Sequence, residues 1–123
     1  MSMEIIISTQ IEKVIINVSP AREKIGDIVG FVELQFIDDQ NNIVFITRGY
    51  TIRVKTFNNA PTFLVTAPAY GSKNKYRTSF IIESKSLWHD LVKIILEDFR
   101  NQTGDKKPED YIAEDVNPDD IPM

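Results

Sequence analysis

Residues 49–57, Gly49-Tyr50-Thr51-Ile52-Arg53-Val54-Lys55-Thr56-Phe57, decide how the chain folds. Side chains of a strand alternate between two faces. Tyr50, Ile52 and Val54 therefore share one face, and Thr51, Arg53, Lys55 and Phe57 share the other. One side is suited to a core, and the opposite side carries two cations and an aromatic ring. Gly49, at the head of this pattern, marks a bend or bulge.

The same period of two extends outward. Ile28, Val32, Leu34 and Phe36 alternate with Glu33 and Gln35, Asp38 to Asn42 is a polar turn, and Ile43 to Thr47 resumes a strand, which makes a hairpin. Upstream, Glu4 to Ser19 is rich in Ile and Val and reads as one long or two short strands ended by Pro20. Downstream, Asn58 to Pro61 is a turn and Thr62 to Ala67 a strand. Pro68 to Asn74 is an exposed loop, and Tyr76 to Glu83 is the last strand. Ser84 or Ser86 caps a helix to about Asn101, with Leu87, Trp88, Leu91, Val92, Ile94, Ile95, Leu96 and Phe99 at spacings of three and four. Gly104 ends it. The expected fold is α+β: about five antiparallel strands, then one C-terminal helix packed on one face of the sheet. A domain over residues 1–102 is followed by an acidic flexible tail over 103–123.

Charge divides unevenly along the 123 residues, whose net charge is −4. From Arg48 to Lys85 there are seven bases and one acid, whereas Thr103 to Met123 holds seven acids and two bases. A basic body with an acidic end suits a protein that binds polyanions and carries a competing tail. Single-stranded nucleic acid requires cations that follow the phosphates and flat side chains on which bases stack. Arg48, Arg53, Lys55, Lys73, Lys75 and Arg77 supply the first, and Phe57, Tyr70 and Tyr76 the second. Strand parity places Tyr76 and Arg77 on opposite faces, so at most one of that pair belongs to the platform.

With no cysteine and a single histidine, the chain offers no disulfide, thiolate zinc site or nucleophilic Cys. It also has no nucleophile elbow, phosphate loop or dinucleotide glycine pattern. His89 falls on the solvated side of the helix, Asp38 and Asp39 belong to a turn rather than to a metal pair, and Trp88 is a core anchor. The reading is a non-catalytic protein that needs no metal and no cofactor. The start carries no Lys or Arg ahead of its apolar run, and no stretch is apolar enough to span a membrane, so the expected location is the cytoplasm.

Asn117-Pro118-Asp119-Asp120-Ile121-Pro122-Met123 resembles the C-terminal tip of bacterial single-stranded DNA-binding proteins, which ends Asp-Asp-Ile-Pro-Phe or Asp-Asp-Leu-Pro-Phe. Met123 stands where that family has Phe. The resemblance implies that Asp119, Asp120, Ile121, Pro122 and Met123 recruit replication, recombination or repair proteins, with the aspartates on a basic rim and the last residue in a pocket. The body does not follow the OB-fold order of those proteins, because its strong helix comes after the last strand. Over about Ile28 to Phe99 it resembles the SpoVG family of dimeric nucleic-acid-binding sheet proteins. That resemblance rests on Phe63-Leu64-Val65, Pro68-Ala69, Lys75-Tyr76 and Ile95-Leu96-Glu97-Asp98-Phe99. Ser79 to Leu91, with Trp88 early in the helix, is similar to the positive-cofactor family of transcriptional coactivators, dimers that bind melted DNA.

Together these readings give a single-stranded DNA-binding protein of bacterial or phage type, acting as a homodimer and presenting its tip to partner enzymes. Two alternatives stand beside it. One is a SpoVG-like regulator of duplex DNA or RNA, and the other is a protein-only adaptor whose sheet merely folds.

Overall fold

A computed structural model of the protein describes residues 2–72, 75–78 and 81–113. Four strands form an open antiparallel meander in the order β1-β2-β3-β4: β1 (Ile11–Ile25), β2 (Ile28–Asp38), β3 (Ile43–Phe57) and β4 (Ala60–Thr66). A separate two-stranded ribbon, β5 (Ala69–Ser72) with β6 (Lys75–Thr78), follows. The chain then enters α1 (Lys85–Thr103) and the short α2 (Pro108–Ala113). The architecture is α+β, with α1 on one face of the sheet.

Turn chemistry fixes the meander. Asp38 Oδ1 accepts the backbone N–H groups of Gln40 (3.0 Å) and Asn42 (2.8 Å), so this aspartate closes the β2–β3 turn. Asn58 and Asn59, at φ 50° and 65°, form the left-handed two-residue link between β3 and β4. In β3, Val32 faces Tyr50 while Leu34 faces Thr47, so β3 carries one extra residue at Arg48-Gly49. Gly49 adopts φ +96°, and a Cβ there would lie 3.2 Å from Pro68 Cβ. The expected irregularity at Gly49 is thus a β-bulge.

The core lies between the sheet and α1. Val18, Val32, Leu34, Tyr50, Ile52, Val54, Phe63 and Val65 are buried on the inner face, as are Leu91, Ile95 and Phe99 on the helix. Gly30 is part of this fit, because a Cβ on it would sit 3.1 Å from the Phe99 ring and 3.2 Å from Ile52 Cδ1. Trp88 lies 6.1 Å from the buried Tyr50 ring, which agrees with its reading as an anchor. Ser84 is the N-cap, its Oγ accepting from Leu87 N, and Gly104 closes the helix at φ 68°.

Four features differ from the expectation. First, the fifth strand does not join the sheet. Pro68, which has no N–H, is buried after the end of β4, and the chain beyond it pairs with itself as β5–β6. The loop expected over 68–74 therefore holds β5, and described residues 81–84 are not strand.

Second, β1 begins at Ile11 rather than Glu4, because β2 ends at Asp38, the partner of Ile11, and offers nothing further to pair with. Third, Pro20 lies inside β1 instead of ending it. β1 is an edge strand, where a missing N–H is tolerated.

Fourth, residues 105–113 continue the packed body. Tyr111 of α2 is 7 % exposed, edge-on to Phe63 at 5.8 Å and beside Phe99 at 6.1 Å, with the Lys106 ammonium 4.2 Å from its ring centre. Composition had placed these residues in the tether, but one aromatic ring is enough to dock them. Among the described residues, no helix is long and apolar enough to cross a membrane.

Candidate nucleic-acid interface

Among the described residues, the helices cover only one face of the sheet. On the other face, β3 presents Thr51, Arg53 and Lys55 through the alternation that buries Tyr50, Ile52 and Val54. Phe57, at the end of β3, is 53 % exposed. The bulge at Gly49 lies between this run and Arg48, whose side chain is 72 % exposed. An open hollow lined by Asn17, Ser19, Phe31, Glu33, Arg48 and Gly49 adjoins a second one lined by Gly49, Thr51, Arg53 and Thr66. Arg48, Arg53 and Lys55 therefore lie along one uncovered surface.

Two carboxylates modify this surface. Asp27, in the β1–β2 connection, pairs with both Arg53 (Nη1 to Oδ1, 2.5 Å) and Lys55. The backbone explains its position, since the N–H of Val54 donates to the carbonyl of Asp27 at 2.9 Å. Arg53 Nε also donates to Thr51 Oγ1 (3.2 Å) and Thr66 Oγ1 (3.4 Å), which fixes the guanidinium plane against the sheet. Glu33 on β2 accepts from Arg48 Nε at 2.7 Å and from Gln35 Nε2 at 3.0 Å. Three cations with two carboxylates leave this cluster at +1.

The carboxylates respond to the cations they face. Partial burial would raise the Asp27 pKa, yet hydrogen bonds and charge from Lys55 and Arg53 outweigh it and hold the carboxyl below its ordinary 3.8. The hydrogen bond from Arg48 is the main cause lowering Glu33. A carboxyl depressed on folding adds stability that is complete at neutral pH and is lost as pH falls through its depressed pKa. Both pairs lie at the solvent surface, where water and salt screen them.

Asp27→Asn should therefore leave the fold standing and release Arg53 and Lys55 for an external anion. At about 1 kcal/mol for one charge near 4 Å in water, affinity for single-stranded DNA should rise roughly fivefold. Equilibrium titration of labelled oligo-dT checks this, and unchanged affinity would show that phosphate does not reach the pair.

The remaining expected site residues are less fully placed. Register sets Tyr70 opposite Arg77 and Lys75 opposite Ser72 in the ribbon, with Tyr76 opposite Gly71. Only the backbone of those four named cationic or aromatic residues is described, and Lys73 lies outside the described residues, as do Asp119, Asp120, Ile121, Pro122 and Met123.

Sequence reasoning missed Phe31, 41 % exposed and paired in register with Thr51. Its signal was available, because Phe31 has the parity of Glu33 and Gln35. Asp27 and Glu33 were missed for a different reason: counting charge from Arg48 onward excludes acids that a neighbouring strand brings alongside. His89 is exposed on α1.

No protein-family model, curated protein or solved structure matches this chain.

Proposed function

We propose that the protein binds single-stranded DNA across the uncovered face of its sheet and uses the acidic end of the chain to recruit replication or recombination proteins. The observation that carries this reading is the alignment of Arg48, Arg53 and Lys55 on one helix-free surface with two exposed rings, Phe31 and Phe57. Phosphates take the place of Asp27 and Glu33 against the guanidinium and ammonium groups, and bases stack on the rings. Lys73, Lys75, Tyr70 and one of the pair Tyr76 and Arg77 are further proposed contacts of the strand. Carboxylates already in place keep the bare face nearly neutral, which limits indiscriminate adhesion to polyanions. The function is binding, with no catalytic step.

The test is titration of oligo-dT at several salt concentrations. With about three to five phosphates neutralised per chain, log affinity should fall against log salt with a slope of roughly −2 to −3.5. A flat dependence would refute phosphate contact. Competition with duplex DNA and RNA in the same assay separates this reading from a SpoVG-like regulator, which would prefer one of those competitors.

The terminal segment gives a second expected outcome. Residues 114–123 carry Glu114, Asp115, Asp119 and Asp120 and no base. A tethered anion competes with DNA at high effective concentration. Deleting 114–123 should tighten oligo-dT binding and abolish co-purification with replication proteins. Unchanged binding would refute self-competition. The deletion must begin after Ala113, because an earlier end would remove the buried Tyr111.

A further inference from the structure

The chain before β1 is apolar and has no place on its own sheet. Met3, Ile5, Ile6 and Ile7 are 95 %, 85 %, 96 % and 74 % exposed, outside any helix or strand. Three consecutive isoleucines are strong strand formers, and large apolar side chains so exposed in one run mark a surface made to be covered. The edge of β1 is open as well, since among the described residues β1 shares a strand ladder with β2 alone. Gln102 Nε2 already donates to the carbonyl of Val18 (2.9 Å) and Pro20 has no N–H, so the available run is Ile11 to Asn17. That run matches the length from Met3 to Thr9 and carries the exposed Ile11 and Ile15.

We propose that the arm of one chain adds as an antiparallel strand to the β1 edge of a second copy, and that the second copy's arm does the same in return. Folding back onto its own β1 would require a tight turn at Ser8-Thr9-Gln10, which contains no Gly, Asn, Asp or Pro to adopt the necessary backbone. A second copy needs no turn. Each chain supplies one arm and one edge, so a two-fold axis near Gln10 satisfies both and closes the assembly at two. In that register Ile5 lies opposite Ile15 of the other copy, and eight meander strands form one continuous sheet. This assembly is independent of the nucleic-acid reading.

Sedimentation or light scattering of the full chain at micromolar concentration should show a dimer. Ile5→Lys/Ile6→Lys/Ile7→Lys should shift it to a monomer with an unchanged far-ultraviolet spectrum, because these side chains are exposed in the single chain. The protein has no cysteine, so mixing an Ile5→Cys chain with an Ile15→Cys chain under mild oxidation should give a disulfide-linked heterodimer. A monomeric full chain would overturn the proposal. So would a dimer that survives the three lysines, or cross-linking of Ile5→Cys to itself but not to Ile15→Cys.

Discussion

Arg53→Glu/Lys55→Glu is expected to weaken oligo-dT binding by roughly a hundredfold at about 0.1 M salt, the largest functional effect of any exchange on the uncovered face. Each reversal replaces an attraction to phosphate by a repulsion, and about 1.5 kcal/mol per position sums to a factor of about one hundred. Both side chains lie on β3 and both contact Asp27. The double variant thus places three carboxylates together, a repulsion that acts on the fold as well as on DNA. Arg53→Ala/Lys55→Ala removes the cations without that crowding and should lose about tenfold, with a shallower salt slope. Lys93→Glu, on the exposed side of α1, changes the net charge without touching the sheet and should bind nearly as the parent does. Equal losses from Lys93→Glu and the β3 variants would mean that overall charge, not this face, governs binding. A protein-only adaptor would tolerate all of them.

Phe99→Ala is expected to cost about 3–5 kcal/mol of stability, enough to lower the melting temperature by on the order of 10–20 °C. Phe99 is fully buried and meets Phe63 edge to face at 5.3 Å and Tyr111 at 6.1 Å. Its ring also fills the space that Gly30 leaves open. Truncation opens a cavity where α1, α2 and the sheet converge, and the rigid sheet backbone closes it poorly. Thermal and denaturant unfolding measure the effect. A loss below about 1 kcal/mol would mean that the helix does not pack on the sheet in this way. Leu87→Ala, at a half-exposed position on the same helix, should cost far less.

The parity of residues 50–57 was enough to assign the two faces of the sheet, because alternation is a property of a single strand. The caps at Ser84 and Gly104 and the bulge at Gly49 were legible for a similar local reason. Relations between strands were not. Nothing in the alternation of β3 tells that Asp27 will arrive beside Arg53 and Lys55, because that depends on the register of the β1–β2 connection. The fifth strand was misread because β-forming residues 75–78 satisfy their ladder equally well in a small ribbon as at the sheet edge. Pro68 and its contact with Gly49 redirect the chain before it can join. Tyr111 was hidden by the charged residues around it, which set the average composition of the segment while the ring alone supplies the packing.

The seating of α2 gives the acidic end a fixed origin. Tyr111 pins the chain against Phe63 on β4, and Arg53 lies across from Leu64 on that same strand. The acidic pair Glu114 and Asp115 follows Ala113 directly. Competition between this acidic run and DNA, under the proposed function, would start from beside β4, the strand that borders Arg53.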